Sequence, residues 1–69
     1  MKNPDDQVGE WWYAERDELR VRWSPVQLWL ETVGHAYVSF VVCENPTYRD
    51  VENLLTALRI DFPEAWRER

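Results

Sequence analysis

Apolar and polar positions are most regularly ordered between Ser24 and Cys43, SPVQLWLETVGHAYVSFVVC. Val26, Trp29, Leu30 and Val33 recur at three- and four-residue spacing, which predicts a helix over Ser24–Gly34 with Leu28 pointing away from its apolar face. Ser24 at the N-cap, Pro25 at the first helical position and Gln27 at N3 make a capping-box pattern. Gly34 stands where a helix hands over to a left-handed residue. From His35 to Glu44 the period changes to two. Ala36, Val38, Phe40 and Val42 form an apolar row, and Tyr37, Ser39, Val41 and Cys43 form a mostly apolar one. That predicts a central or nearly central strand with Val38, Phe40 and Val42 in the core, ended by Asn45-Pro46.

On either side the pattern is less uniform. Glu10–Trp23, EWWYAERDELRVRW, alternates Leu19, Val21 and Trp23 with Arg20 and Arg22, and carries Trp11, Trp12 and Tyr13, which favour strands. It reads as a hairpin turning at Arg16-Asp17-Glu18; the rival is a short helix over Tyr13–Leu19. The turn lacks the glycine or asparagine usual in a tight two-residue loop. After Pro46, Thr47 and Asp50 mark a helix start, with Val51, Leu54, Leu55 and Leu58 as its buried stripe. Phe62-Pro63 interrupts it, and Glu64–Arg69 reads as a further turn returning Trp66 to the core. Residues 1–9 are a polar lead-in, flexible except for a contact by Val8, and 10–66 the folded core of one domain. The expected fold is α+β, a three-stranded, mainly antiparallel sheet packed by two helices in the order β-β-α-β-α.

Composition alters this picture in one respect. A chain of 69 residues encloses little core, yet it carries five tryptophans, three tyrosines and two phenylalanines. Some rings are therefore expected at a surface. Thirteen acidic and eight basic residues leave a formal charge of −5, which disfavours direct nucleic-acid binding and an anionic membrane surface. One cysteine excludes an internal disulfide, and no stretch is apolar enough for a signal peptide or a bilayer span, so a cytoplasmic setting is expected.

Candidate chemistry is sparse. One histidine and one cysteine do not make a structural zinc site, and Glu15, Asp17 and Glu18 lack the spacing of a calcium loop, so no metal or cofactor is expected. Ser24 and Thr47 are explained as helix caps, Cys43 as a small buried hydrophobe and His35 as a turn residue, which leaves no catalytic set. The two glycines, Gly9 and Gly34, open no phosphate loop. Aromatic strands beside Arg20 and Arg22 are a superficial match to a face that stacks single-stranded nucleic acid, against the net charge.

The acidic groups carry the functional reading. Asp5, Asp6, Glu10, Glu15, Asp17 and Glu18 against Lys2 and Arg16 leave residues 1–18 at −4. With Asp50 and Glu52 they are expected to make a negative patch flanked by Trp11, Trp12 and Tyr13. Such a chain suits a non-enzymatic protein-binding module, an inhibitor or adaptor that blocks a basic surface of a larger protein or nucleoprotein complex, with carboxylates mimicking nucleic-acid phosphates. In size and acidity alone it is similar to phage-encoded inhibitors of bacterial defence systems, of the anti-CRISPR kind; no motif ties it to a named family. A homo-oligomer packed through Trp11, Trp12 and an uncovered strand edge is the alternative from another class.

Overall fold

A period of two, not of three and a half, governs the chain as far as Glu44. In a computed structural model describing residues 3–64, the strands β1 (Trp12–Arg16), β2 (Leu19–Trp23), β3 (Gln27–Thr32) and β4 (Val38–Glu44) are followed by the helix α1 (Tyr48–Leu58). The strands pair antiparallel in chain order, β1-β2-β3-β4, as one meander. The expected three-stranded sheet with two helices is thus corrected to four strands and one helix, still of the α+β kind. The turn expected from Glu64 onward, and Trp66 with it, lies largely outside the described residues.

The correction falls on Ser24–Gly34. Ser24 does cap, but it caps a turn: its Oγ accepts from the backbone N–H groups of Val26 (3.1 Å) and Gln27 (3.3 Å), while its own N–H donates to the Gln27 carbonyl (2.9 Å). Pro25 and Val26 form the tip of the β2–β3 hairpin, where a proline with fixed φ suits the first central position as well as it suits a helix start. Beyond the tip, Leu28 and Leu30 face one side and Gln27, Trp29 and Glu31 the other. Leu28, expected to point away, is fully buried, and Val26, expected on a buried face, is 61% exposed. Gly34 serves the β3–β4 loop, not a helix end. Its φ is 138°, and a Cβ there would come within 2.6 Å of a Glu18 carboxylate oxygen.

The first hairpin forms as expected, with Arg16 paired to Leu19 and only Asp17 and Glu18 in the turn. Asp17 takes φ 56°, a left-handed conformation that aspartate tolerates, which is how the turn dispenses with glycine. The helix after Pro46 also forms, opened by a reciprocal capping box between Thr47 and Asp50 and closed by Arg59 in the left-handed region.

One side of the sheet makes the core. Its cross-strand rows are Trp12, Trp23, Leu28 and Cys43, then Ala14, Val21, Leu30 and Phe40, then Arg16, Leu19, Thr32 and Val38. Val21, Trp23 and Leu28 meet Tyr48, Val51 and Leu55 of α1, with Val8 and Ile60 filling the ends. Since α1 lies over β2, the rows run out from under it at β4. Phe40 is 60% exposed, and Val38 and Val42 are also exposed, so β4 is an uncovered edge strand and not the central core strand expected. The lead-in is held by more than Val8: Val8 N–H donates to the Pro46 carbonyl, and Tyr48 and Arg49 donate to Asp6 and Pro4. Among the described residues no helix is long and apolar enough to cross a membrane.

Two substitutions separate this arrangement from a helical Ser24–Gly34. Leu55→Ala, in the core, is expected to cost roughly 2–5 kcal/mol in urea unfolding, whereas Val26→Ala at the hairpin tip should change stability by about 0.5 kcal/mol or less. A core-sized loss at Val26 would restore the helix.

Candidate functional site

Among the described residues no element covers the other side of the sheet. Alternation places Trp11, Tyr13, Glu15, Arg20, Arg22, Trp29, Glu31, Ser39 and Val41 there. One row reads Tyr13, Arg22, Trp29, Val41 and the next Glu15, Arg20, Glu31, Ser39. Apolar and aromatic groups dominate the first, and alternating charges the second.

Glu31 holds the centre. It is only 1% exposed although it lies on the open side, because its neighbours close over it. Arg20 Nε donates to Oε1 at 3.0 Å, Arg22 Nε to the same oxygen at 3.2 Å and Arg22 Nη2 to Oε2 at 3.3 Å; the Tyr37 hydroxyl donates to Oε2 as well. Burial alone would raise the pKa of this carboxyl, but the Tyr37 and Arg20 hydrogen bonds and the two guanidinium charges outweigh it and hold the group below its ordinary range. A buried carboxylate so enclosed is satisfied, where an unpaired one would be strongly destabilising.

The arginines in turn organise the rings. Arg22 lies over Trp29 at 4.3 Å and near Trp11 at 6.0 Å; Arg20 lies over Tyr13 at 5.8 Å. Trp11 stacks on Trp29 with centroids 5.6 Å apart and planes 24° apart, while staying 60% exposed itself. Offset stacks and cation–π contacts of this kind fix the orientation of rings that a flexible surface would leave loose. The result is a pre-ordered aromatic platform whose two cations are held from beneath by one shared carboxylate.

The expected site residues are only partly brought together. Trp11, Tyr13 and Glu15 share the open side, and Asp17 and Glu18 project from the hairpin tip at its end. Trp12, in register with buried Trp23, sits at the margin of the opposite side. Asp50 and Glu52 are on α1, across the sheet from Trp11 and Tyr13, and the Asp50 carboxylate accepts from Thr47 N–H at 2.9 Å to cap that helix. A single negative patch joining the hairpin to the helix is therefore not what the fold builds. The sequence pattern gives Trp29, Glu31 and Tyr37 no binding role. The signal was the strict alternation of Gln27, Trp29 and Glu31 with Leu28, Leu30 and Thr32.

Groups suited to other chemistry are scattered. A shallow recess between the first hairpin turn and the β3–β4 loop is edged by Asp17, Glu18 and His35. No cluster of three or more potential metal ligands occurs among the described residues. Burial, and secondarily the Asp50 carboxylate, push the half-buried Cys43 thiol up, which keeps it protonated and a poor nucleophile. No protein-family model, curated protein or solved structure matches the chain.

Glu31 yields a pH test. Its folded-state pKa is depressed, so its contribution is complete above the unfolded value near 4.5 and is lost as pH falls through the depressed folded value. Glu31→Gln should destabilise the fold by roughly 1–3 kcal/mol at neutral pH, and the gap to wild type should narrow on acidification. Urea midpoints measured for both chains across the acid range check it; a gap independent of pH would remove the charge from the account.

Proposed function

We propose that the chain is a small protein-binding module that works by occupying a surface of a larger partner, with the open sheet side as its contact face. One observation carries this reading: exposed aromatic rings are held in fixed orientations by two arginines that the buried Glu31 carboxylate pins in place. Tryptophan, tyrosine and arginine are the residues that dominate binding hot spots, and pre-ordering lowers the entropy lost on association. A single-stranded nucleic acid would need free cations for its phosphates, and Arg20 and Arg22 already serve Glu31.

The finer reading concerns the acids. Glu15 on the open side and Asp17 and Glu18 at its end form a rim that favours a basic partner, and the net charge of −5 steers the encounter. A partner whose basic surface ordinarily holds nucleic acid fits best, the rim carboxylates taking places meant for phosphates. The mode is inhibitory or adaptor-like and involves no catalysis. A reducing, cytoplasmic setting suits the single thiol.

Affinity capture from the native host with the whole chain supplies the partner, and titration then tests the face. Trp11→Ala with Tyr13→Ala is expected to weaken binding at least roughly thirty-fold, as loss of about 2 kcal/mol or more at a hot spot implies. Reversing Asp17 and Glu18 to lysine should slow association and flatten its salt dependence, and the partner's nucleic acid should compete. Unchanged affinity in the aromatic double variant would reject the face.

A further inference from the structure

Polar groups at the centre of the open side are mostly hydrogen-bond donors. Glu31 engages Nε of Arg20 and Nε and Nη2 of Arg22, which leaves Nη1 and Nη2 of Arg20 and Nη1 of Arg22 with N–H groups to donate. The two arginine side chains keep 30% and 34% of their surface accessible. Trp11, Trp29 and Tyr13 add indole N–H and phenol O–H groups beside their rings. The central acceptor, Glu31, is closed over and offers a partner nothing.

Those donors discriminate among the shapes a partner segment can take. A β-strand pairs through backbone groups, which in a sheet lie in its plane and not on its face. A helix has spent its N–H and C=O groups internally, so it would cover the arginine donors without supplying acceptors, at the cost of desolvating them. A polyproline II segment has no internal hydrogen bonds, so its carbonyls are free to accept, and its pyrrolidine rings lie flat on aromatic ones. We propose that the open side takes a proline-rich partner segment in the polyproline II conformation, with an arginine or lysine at the end lying toward the Asp17-Glu18 turn. This rests on the open side being the contact face.

Charge and spacing set the direction. Beneath the rings two guanidinium groups share one carboxylate, so a basic side chain is disfavoured over the platform itself. The other carboxylates of this side, Glu15 and then Asp17 and Glu18, lie at one end, where such a side chain is favoured. Asp17 meets Arg16 only at 3.9 Å, with both side chains exposed. From Trp11 to Asp17 the near-extended chain advances about 20 Å over six residues, at roughly 3.4 Å each. Six residues of polyproline II advance about 19 Å, and side chains three apart return to one side. A proline over the Trp11–Trp29 stack, a second three residues on over Tyr13, and a basic residue three further on at the turn therefore fall in step.

The occupant is tested without assuming its sequence. A phage-displayed library of random peptides long enough for four polyproline II turns, about twelve residues, is selected on the whole immobilised chain. Enriched peptides are expected to carry prolines three residues apart followed by arginine or lysine, and to bind Trp11→Ala or Tyr13→Ala at least roughly tenfold more weakly. Both rings are largely exposed, so these variants should keep the wild-type far-ultraviolet spectrum. In the proton–nitrogen spectrum the indole signals of Trp11 and Trp29 should move on adding the peptide, and that of buried Trp23 should not. Reversing Asp17 and Glu18 to lysine should weaken a selected peptide at least roughly threefold, but not its version with the basic residue replaced by alanine. No enrichment, an enriched set without prolines, or binding that neither ring variant weakens would overturn the inference. The two readings fail separately. A native partner held equally well by the aromatic double variant rejects the face, whereas a native partner that needs the face but is not displaced by the selected peptides rejects only the polyproline occupant.

Discussion

A carboxylate with almost no access to water lies on the side of the sheet that the helix leaves open, and the remaining geometry of that side depends on it. Glu31 is hydrogen-bonded by Arg20 and Arg22 from β2 and by Tyr37 from the segment entering β4, so one residue of β3 ties both of its neighbours. A slip of one position between β2 and β3 would turn Glu31 into the core and bring Leu30 out, which makes the register costly to lose. The arginines are fixed by their hydrogen bonds and then orient Trp29, Trp11 and Tyr13 above them. Order passes from a buried charge to exposed rings through the guanidinium groups between them.

The second constraint is coverage. An α-helix with its side chains is about 10–12 Å wide, whereas four strands about 4.8 Å apart make a broader sheet. One eleven-residue helix over β2 leaves at least one edge beyond its reach, and here that edge is β4. Residues 4–8 and 59–60 extend the cover around the helix ends, through Val8 and Ile60, but do not reach Phe40. The exposed valines and phenylalanine of β4 are thus a consequence of size. Among the described residues α1 is the one long helix, and it lies over β2 rather than over them.

How much of this was legible in the sequence depends on which local signals were ambiguous. The hairpin at Asp17-Glu18 and the helix capped by Thr47 could be read because alternation and capping chemistry pointed the same way. Ser24-Pro25-Val26-Gln27 could not. A serine accepting from the two following N–H groups, with proline next to it, opens a helix or a tight turn with equal local success, and only tertiary pairing decides. A helix there sends Leu28 to solvent and Trp29 to the core, whereas Leu28 is fully buried and Trp29 lies half-buried on the open side. The alternation from Gln27 to Thr32 contained the correct answer, in six residues set against a helical spacing that matched by coincidence. For the same reason the pattern gives no role to Glu31 and Tyr37, which organise the open side, while Trp11, Tyr13 and Glu15 stand out by residue type and share that side.

The net charge and the aromatic surplus, which composition presents as one property, are separated in space. On the open side Arg20 and Arg22 face Glu31 and Glu15, so the aromatic platform is close to neutral. The excess carboxylates lie at its rim and beyond it, at Asp17, Glu18 and on α1. These arrangements do different work. Distributed surface charge acts over the screening length and alters how often partners meet. Oriented rings act at contact and alter how long they stay together. A module divided in this way can tune its rate of association through the acidic rim without disturbing the stack of Trp11 on Trp29, because no rim carboxylate supports that stack and the one carboxylate that does, Glu31, is buried.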